Sequence, residues 1–203
     1  MPAVSDLEDP ASPNDKECFT PASRSAWRSW LEQHGDRPHG LWLVYRKKSS
    51  LLEGPIYEEL VEEALCFGWI DSQSRRVDDD RTMQWFSPRR RGSIWSPLNK
   101  ERIGRLERDG LMAEPGREAI ARAKADGSWS QTDGVDALII PPDLEAAFAA
   151  APRARSAYQA LPDSAKRLTL WGIYSAKRPQ TRANRVTQTI ATLEAANADQ
   201  PGE

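Results

Sequence analysis

A chain of 203 residues, 39% hydrophobic and 29% charged with a mean hydropathy of −0.67, has enough apolar side chains for a packed core and no run of transmembrane length. Its formal net charge of −2 conceals segregation: residues 1–20 carry five acids and one lysine, Arg81–Arg108 eight basic and two acidic residues, and Arg153–Arg185 eight basic and one acidic. Two cysteines, Cys18 and Cys66, are too few for a disulfide framework, and the acidic, proline-bearing start lacks the basic-then-apolar pattern of a secretory signal, so a cytoplasmic location is expected.

Residues 1–20 have turn-prone Pro, Asp and Ser without an apolar period, and are expected to form a disordered lead-in. Ser23 can cap a helix in which Trp27, Trp30 and Leu31 follow helical spacing up to Gly35. Leu41-Trp42-Leu43-Val44-Tyr45 is short, β-branched and aromatic, and reads as a buried strand. After Pro55 a second helix carries Leu60, Val61, Ala64 and Leu65 as its core stripe and stops at Gly68. Residues 69–77 and 82–87 then read as a β-hairpin around the turn Asp78-Asp79-Asp80. Strict alternation would put Trp69, Asp71, Gln73, Arg75 and Val77 on one face and Ile70, Ser72, Ser74 and Arg76 on the other.

Ser96-Pro97 starts a helix that runs to about Asp109, with Ile103 and Leu106 inward and a stripe of Arg102, Arg105 and Arg108. Another begins near Pro115, packs through Ala119, Ile120 and Ala123, and ends at Gly127. Residues 128–141 read as a linker. Helices follow at 144–150, 152–161 and from Pro162-Asp163-Ser164 through Tyr174, and a long one starts at Pro179 with Ala183, Val186, Ile190 and Leu193 on one side. The expected fold is α+β: a small antiparallel sheet from 41–45, 69–77 and 82–87, packed by helices, with the direction of the first pair left open by the intervening helix. The expected organisation is an α+β domain over 21–130, a helical C-terminal part over 131–195 and a tail at 196–203.

The motifs of nucleotide-binding loops, nucleophile elbows and dithiol centres are absent from the sequence. His34 and His39 lack partners at metal-ligand spacing, the aspartates at 78–80 suit a turn better than a calcium loop, and neither a metal nor a cofactor is expected. Asp71, flanked by Trp69 and Ile70, is the most suspicious carboxyl, a weak catalytic candidate or the partner of Arg75, Arg76 or Arg89. Arg89-Arg90-Arg91 precedes the Ser96 helix, so Trp69, Asp71, Arg89, Ser93, Trp95, Ser96 and Asn99 form the candidate ligand-binding set: guanidinium forks and helix N–H groups suit an anion. Trp85 and Trp95 could stack a ring, or simply pack. Lys177, Arg182 and Arg185 form a second candidate basic surface.

Four blocks carry a family resemblance: GWIDS at 68–72, SPRRRGSIWSPLNKERI at 87–103, GLMAEPGREAIARAKADGSW at 110–129 and AKRPQTRANRV at 176–186. Together they resemble the bacterial YdeI or OmpD-associated family, also labelled bacteriocin-protection proteins, over about residues 20–195. The resemblance marks Gly68, Trp69, Ile70 and Asp71, then Pro88, Arg89, Ser93, Trp95, Ser96 and Asn99, then Lys177, Thr181, Arg182 and Arg185. It implies a role in protection against bacteriocins or cationic antimicrobial peptides and an association with an outer-membrane porin, and brings no reaction with it. Three functions stay open: a non-enzymatic protein binding an anionic small molecule or protein partner, an enzyme with a pocket at Asp71, Arg89 and Ser96, and a nucleic-acid binder using the two basic segments. The absence of a nucleophile–base pair favours binding.

Overall fold

A computed structural model describes residues 17–198, so the expected lead-in up to residue 16 and the tail from residue 199 lie outside the described residues. The chain forms two compact units: one runs to Arg90 and resumes over Arg102–Ala121, and the other takes Arg91–Glu101 and the chain from Arg122 onward.

In the first unit, β1 (Cys18–Phe19), α1 (Arg24–His34), β2 (Leu41–Arg46), α2 (Tyr57–Cys66), β3 (Trp69–Arg76) and β4 (Arg81–Pro88) follow in order. Ser23 caps α1, its hydroxyl accepting the Ala26 N–H at 3.1 Å. At the start of α2 the Glu59 carboxylate accepts the Ile56 N–H at 3.0 Å. The sheet order is β1-β2-β4-β3. β4 lies between β2 and β3 and runs antiparallel to both, so the first pair expected from the sequence, 41–45 with 69–77, is not formed and these two strands flank β4 in parallel.

The sheet is mixed rather than wholly antiparallel, because Cys18–Phe19 pairs parallel with Trp42–Leu43. Two residues are too short a run for periodicity to reveal; Phe19 is held there by its rings' neighbours, Trp27 at 6.3 Å and Trp30 at 6.0 Å. Trp27 is fully buried and lies edge-on to Trp69 at 6.3 Å and Phe86 at 5.9 Å, so α1 closes over one face of the sheet. Two of the buried indoles find carbonyls, Trp27 Nε1 donating to Leu60 O at 3.1 Å and Trp69 Nε1 to Gly35 O at 2.9 Å.

Gly68 ends α2 with φ of 74°, and a Cβ there would stand 2.9 Å from Ala119 Cβ and 3.0 Å from Pro115 O. The chain can therefore turn into β3 while the start of α4 (Glu114–Asp126) packs directly on the turn. Charge ties the helices of this unit: buried Glu63 accepts from Arg24 Nε at 2.6 Å and Arg28 Nη1 at 2.8 Å, while Glu62 pairs with Arg24 and with Arg105 of α3 (Pro97–Arg108).

The second unit contains α5 (Asp133–Asp136), α6 (Pro142–Ala150), α7 (Pro152–Ala160), α8 (Asp163–Tyr174) and α9 (Pro179–Ala198). Leu144, Phe148, Ala154, Tyr158, Leu170, Ile173, Val186 and Leu193 form its core. The stretch read as a linker holds the single-turn α5, whose Val135 joins that core, and α9 runs to Ala198. Among the described residues no helix is long and apolar enough to cross a membrane.

Candidate functional site

Asp71 is the organising residue of the first unit's polar cluster. It stands opposite Phe86 in the β3–β4 ladder, two residues after buried Trp69 and therefore on the same face. Between Asp71 and Ser74 the register shifts through a β-bulge, so Ser74 lies opposite Gln84, Arg75 opposite Met83 and Arg76 opposite Thr82. The bulge overturns the strict alternation expected for β3. Ser74 and Arg76 join the face of Asp71, and Arg75 moves to the other, where its guanidinium lies 4.8 Å from the Trp42 ring centroid.

Gln84, buried to 6% exposure in the middle of β4, spends both amide protons at the bulge, one on Asp71 Oδ2 at 3.0 Å and one on Ser72 O at 3.1 Å. Tyr57, the first residue of α2, donates its phenol proton to the same Asp71 Oδ2 at 2.7 Å. Tyr45 of β2 stacks on Tyr57 with ring centroids 6.1 Å apart. Burial, then the hydrogen bond to Asp71, pushes the Tyr57 phenol far above its ordinary 10.0, while burial and then the Asp71 charge push Tyr45 up to about 12. Both phenols thus remain neutral donors at physiological pH. Neither can serve as a general base there.

Arg89 follows β4 directly, its backbone N–H donating to Gly68 O at 2.9 Å and continuing the ladder beside Trp69. Burial lowers its guanidinium from 12.5 to about 10, with Asp71 opposing that loss; it is still a cation at neutral pH. Arg102, on α3, adds its positive field at Tyr57. The cluster therefore holds a fixed carboxylate, two neutral phenols and a partly dehydrated cation within one unit. Of the partners expected for Asp71, Arg76 pairs instead with Asp79, and Arg75 is engaged on Trp42. Asp78 closes the hairpin turn, accepting the N–H groups of Asp80 at 3.0 Å and Arg81 at 2.6 Å and the Arg81 guanidinium at 2.7 Å.

Ser93, Trp95, Ser96 and Asn99 belong to the second unit, whereas Trp69, Asp71 and Arg89 belong to the first. Trp95 is 1% exposed and packs at 5.2 Å on Trp129, so it is a core residue rather than an open stacking platform. Ser96 caps α3, accepting the Asn99 N–H at 3.3 Å. Beside it Lys100 pairs with Asp133, and the ammonium groups of Lys100 and Lys124 lie 5.6 and 5.3 Å from the Trp129 ring centroid.

The C-terminal basic residues divide by role. Lys177 is exposed. Arg182 grips Asp143 with two bonds, Nε to Oδ2 at 2.6 Å and Nη2 to Oδ1 at 2.9 Å, and donates Nη1 to Ile173 O at 3.3 Å. Arg185 donates to Gly172 O and, at 3.0 Å, to Ser175 Oγ. Both guanidinia serve the carbonyl end of α8, where cations are favoured. Tyr57, Gln84, Tyr45 and Arg102 did not emerge from the sequence; only Gln84, a polar residue before the aromatic pair Trp85-Phe86, carried a local signal.

Comparison with known families divides the chain in the same region. Residues 137–196 match the family described as Bacteriocin-protection, YdeI or OmpD-Associated. The resemblance read from the sequence is thus supported over the helical C-terminal part. Residues 19–119, which contain Asp71 and Arg89, match a different family model, described as a domain of unknown function (DUF8412). No curated protein and no solved structure matches the chain.

Proposed function

We propose that this chain is a non-enzymatic, cytoplasmic protein of the bacteriocin-protection, YdeI or OmpD-associated kind, serving protection against bacteriocins or antimicrobial-peptide and envelope stress by holding an anionic ligand or partner at Arg89. The match over residues 137–196 supports the family role. The observation that carries the binding site is Arg89, directly after β4, a cation in partly dry surroundings that feels the charge of Asp71. An anion arriving there gains a strong attraction for a small further cost of desolvation, since part of the guanidinium's hydration has been given up on folding.

The test is thermal unfolding in sulfate or phosphate against chloride at equal ionic strength. A ligand at 100 times its Kd stabilises by about 2.7 kcal/mol. The wild type should gain from the oxyanion, and Arg89→Ala should lose that gain. If Arg89→Ala lowers stability equally in every buffer, Arg89 only ties the hairpin to its surroundings. If an oligonucleotide stabilises the wild type where phosphate does not, the partner is a nucleic acid.

A further inference from the structure

Helix α8 carries two apolar stripes, and the core of the second unit accounts for one of them. Leu170 and Ile173 are fully buried in that core. Leu168, Trp171, Gly172 and the C-cap Ser175 recur at i, i+3, i+4 and i+7 and so share another face, over a length of about 10 Å. On that face Leu168 is 73% exposed, Trp171 is only half-buried, and a Cβ added at Gly172 would meet nothing beyond its own helix within 4 Å. The flanking charge is of one sign. Between Asp163 and Glu194 the chain has no carboxylate and six cations, Lys166, Arg167, Lys177, Arg178, Arg182 and Arg185. Arg182 and Arg185 are spent on Asp143 and on the end of α8, which leaves Arg167 next to Leu168, and Lys177 and Arg178 just past Ser175, all three exposed.

An apolar stripe bracketed by cations complements a surface that is anionic at its face and apolar within. A second copy of the chain would set arginine and lysine against their own kind. Protein interfaces are depleted in lysine and need a shaped counterpart. A bilayer with anionic headgroups needs none: leucine and tryptophan enter the boundary between headgroups and acyl chains, while long basic side chains keep their charges among the phosphates. We infer that the outward face of α8, through Leu168, Trp171, Arg167, Lys177 and Arg178, docks the protein on an anionic lipid surface. The helix has 12 residues, where spanning a bilayer takes about 20, so it lies along the surface and does not cross it.

The test is cosedimentation of the full chain with phosphatidylcholine vesicles, with and without phosphatidylglycerol, at low and high salt. Binding should require the anionic lipid and weaken as salt rises. Replacing Lys177 and Arg178 together by glutamine should lower affinity about fivefold for each cation removed. Leu168→Ser should lower it about tenfold. These positions are exposed, so the fold should survive each change; Leu51→Ser, at a fully exposed leucine of the first unit, should leave binding unchanged. Equal binding to neutral vesicles, or none to the mixed vesicles at low salt, overturns the inference; in the second case, shifts of the Trp171 indole N–H on adding polyglutamate would identify an acidic protein as the occupant. A loss on neutralising Lys177 and Arg178 with none for Leu168→Ser also overturns it, since the surface then reads charge alone. Equal weakening by Leu51→Ser moves the contact away from α8 and overturns it as well.

Discussion

Replacing Glu63 by glutamine tests whether the first unit depends on a buried charge. Glu63 is 3% exposed and accepts two charge-assisted bonds, from Arg24 Nε at 2.6 Å and Arg28 Nη1 at 2.8 Å. Glu63→Gln preserves the volume and one acceptor oxygen, but turns an NH2 group toward a guanidinium. A hydrogen bond to a charged group contributes about 1.5–3 kcal/mol, so losing one and weakening the other sets a gross loss of about 3–4 kcal/mol. The arginines recover part of this. Their side chains are 34% and 29% exposed and can rehydrate, Arg24 keeps Glu62 at 3.1 Å, and Arg28 keeps Leu111 O at 3.0 Å. The expected net loss is about 2 kcal/mol. In urea unfolding followed by tryptophan fluorescence, which reports Trp27 and Trp30 on α1, that corresponds to a midpoint about 1 M lower for a slope of about 2 kcal/mol/M. Glu32, 54% exposed and 3.5 Å from Arg28, supplies the control, since Glu32→Gln should cost no more than about 0.5 kcal/mol. If Glu63→Gln matches that control, the pair is worth no more than a surface contact and the burial argument is wrong.

Asp143 in the second unit is held below its ordinary 3.8, chiefly by the hydrogen bond from Arg182. A depressed carboxyl stabilises the fold above its unfolded value and loses that contribution as pH falls through the folded one. Arg182→Gln should therefore be less stable than wild type near neutrality, with the gap closing on acidification below about pH 4; a gap independent of pH in circular-dichroism unfolding would refute the linkage. The Tyr57 phenol supplies a prediction of opposite sign. Its raised value gives stability that is complete below the ordinary 10.0 and is lost as pH climbs through the folded value. In alkaline ultraviolet titration, Asp71→Asn should move two phenols downward, Tyr57 through its lost hydrogen bond and Tyr45 through the lost charge, without returning either to 10.0, because burial is the larger cause for both; a titration curve superimposing on wild type would rule out the Tyr57–Asp71 bond.

Most of the fold was legible because its elements announce both their period and their ends. Ser23 and Gly35 bracket α1, Gly68 closes α2, and Ser96 with Pro97 opens α3, each through a backbone requirement that a particular residue type meets locally. What escaped was short or was defined by a partner. A two-residue strand has no period, a single-turn helix such as α5 has too little, and the bulge in β3 exists only relative to Gln84 on the neighbouring strand. Once the bulge is present, every alternation argument beyond Ser72 reverses, which is why Arg75 and Asp71 occupy opposite faces.

The candidate site divides by the same logic. Asp71 after the apolar pair Trp69-Ile70 and Arg89 after a proline are visible in their own stretches, but the groups that orient Asp71 come from 13 and 14 residues away on other elements. Charge counts were misleading where they ignored helix ends: Arg182 and Arg185 sit in the most basic segment, yet they spend their donors on Asp143 and on the terminal carbonyls of α8. A basic run therefore signals an anion surface only after such structural uses have been subtracted. Arg89 differs from Arg182 in its electrostatics. Arg182 gains a raised value from a carboxylate gripped at two points, whereas burial outweighs the attraction of Asp71 at Arg89 and leaves its value lowered. Under the anion-binding proposal, that balance is the reason an arriving anion would gain at Arg89, at the start of the arginine run rather than along it.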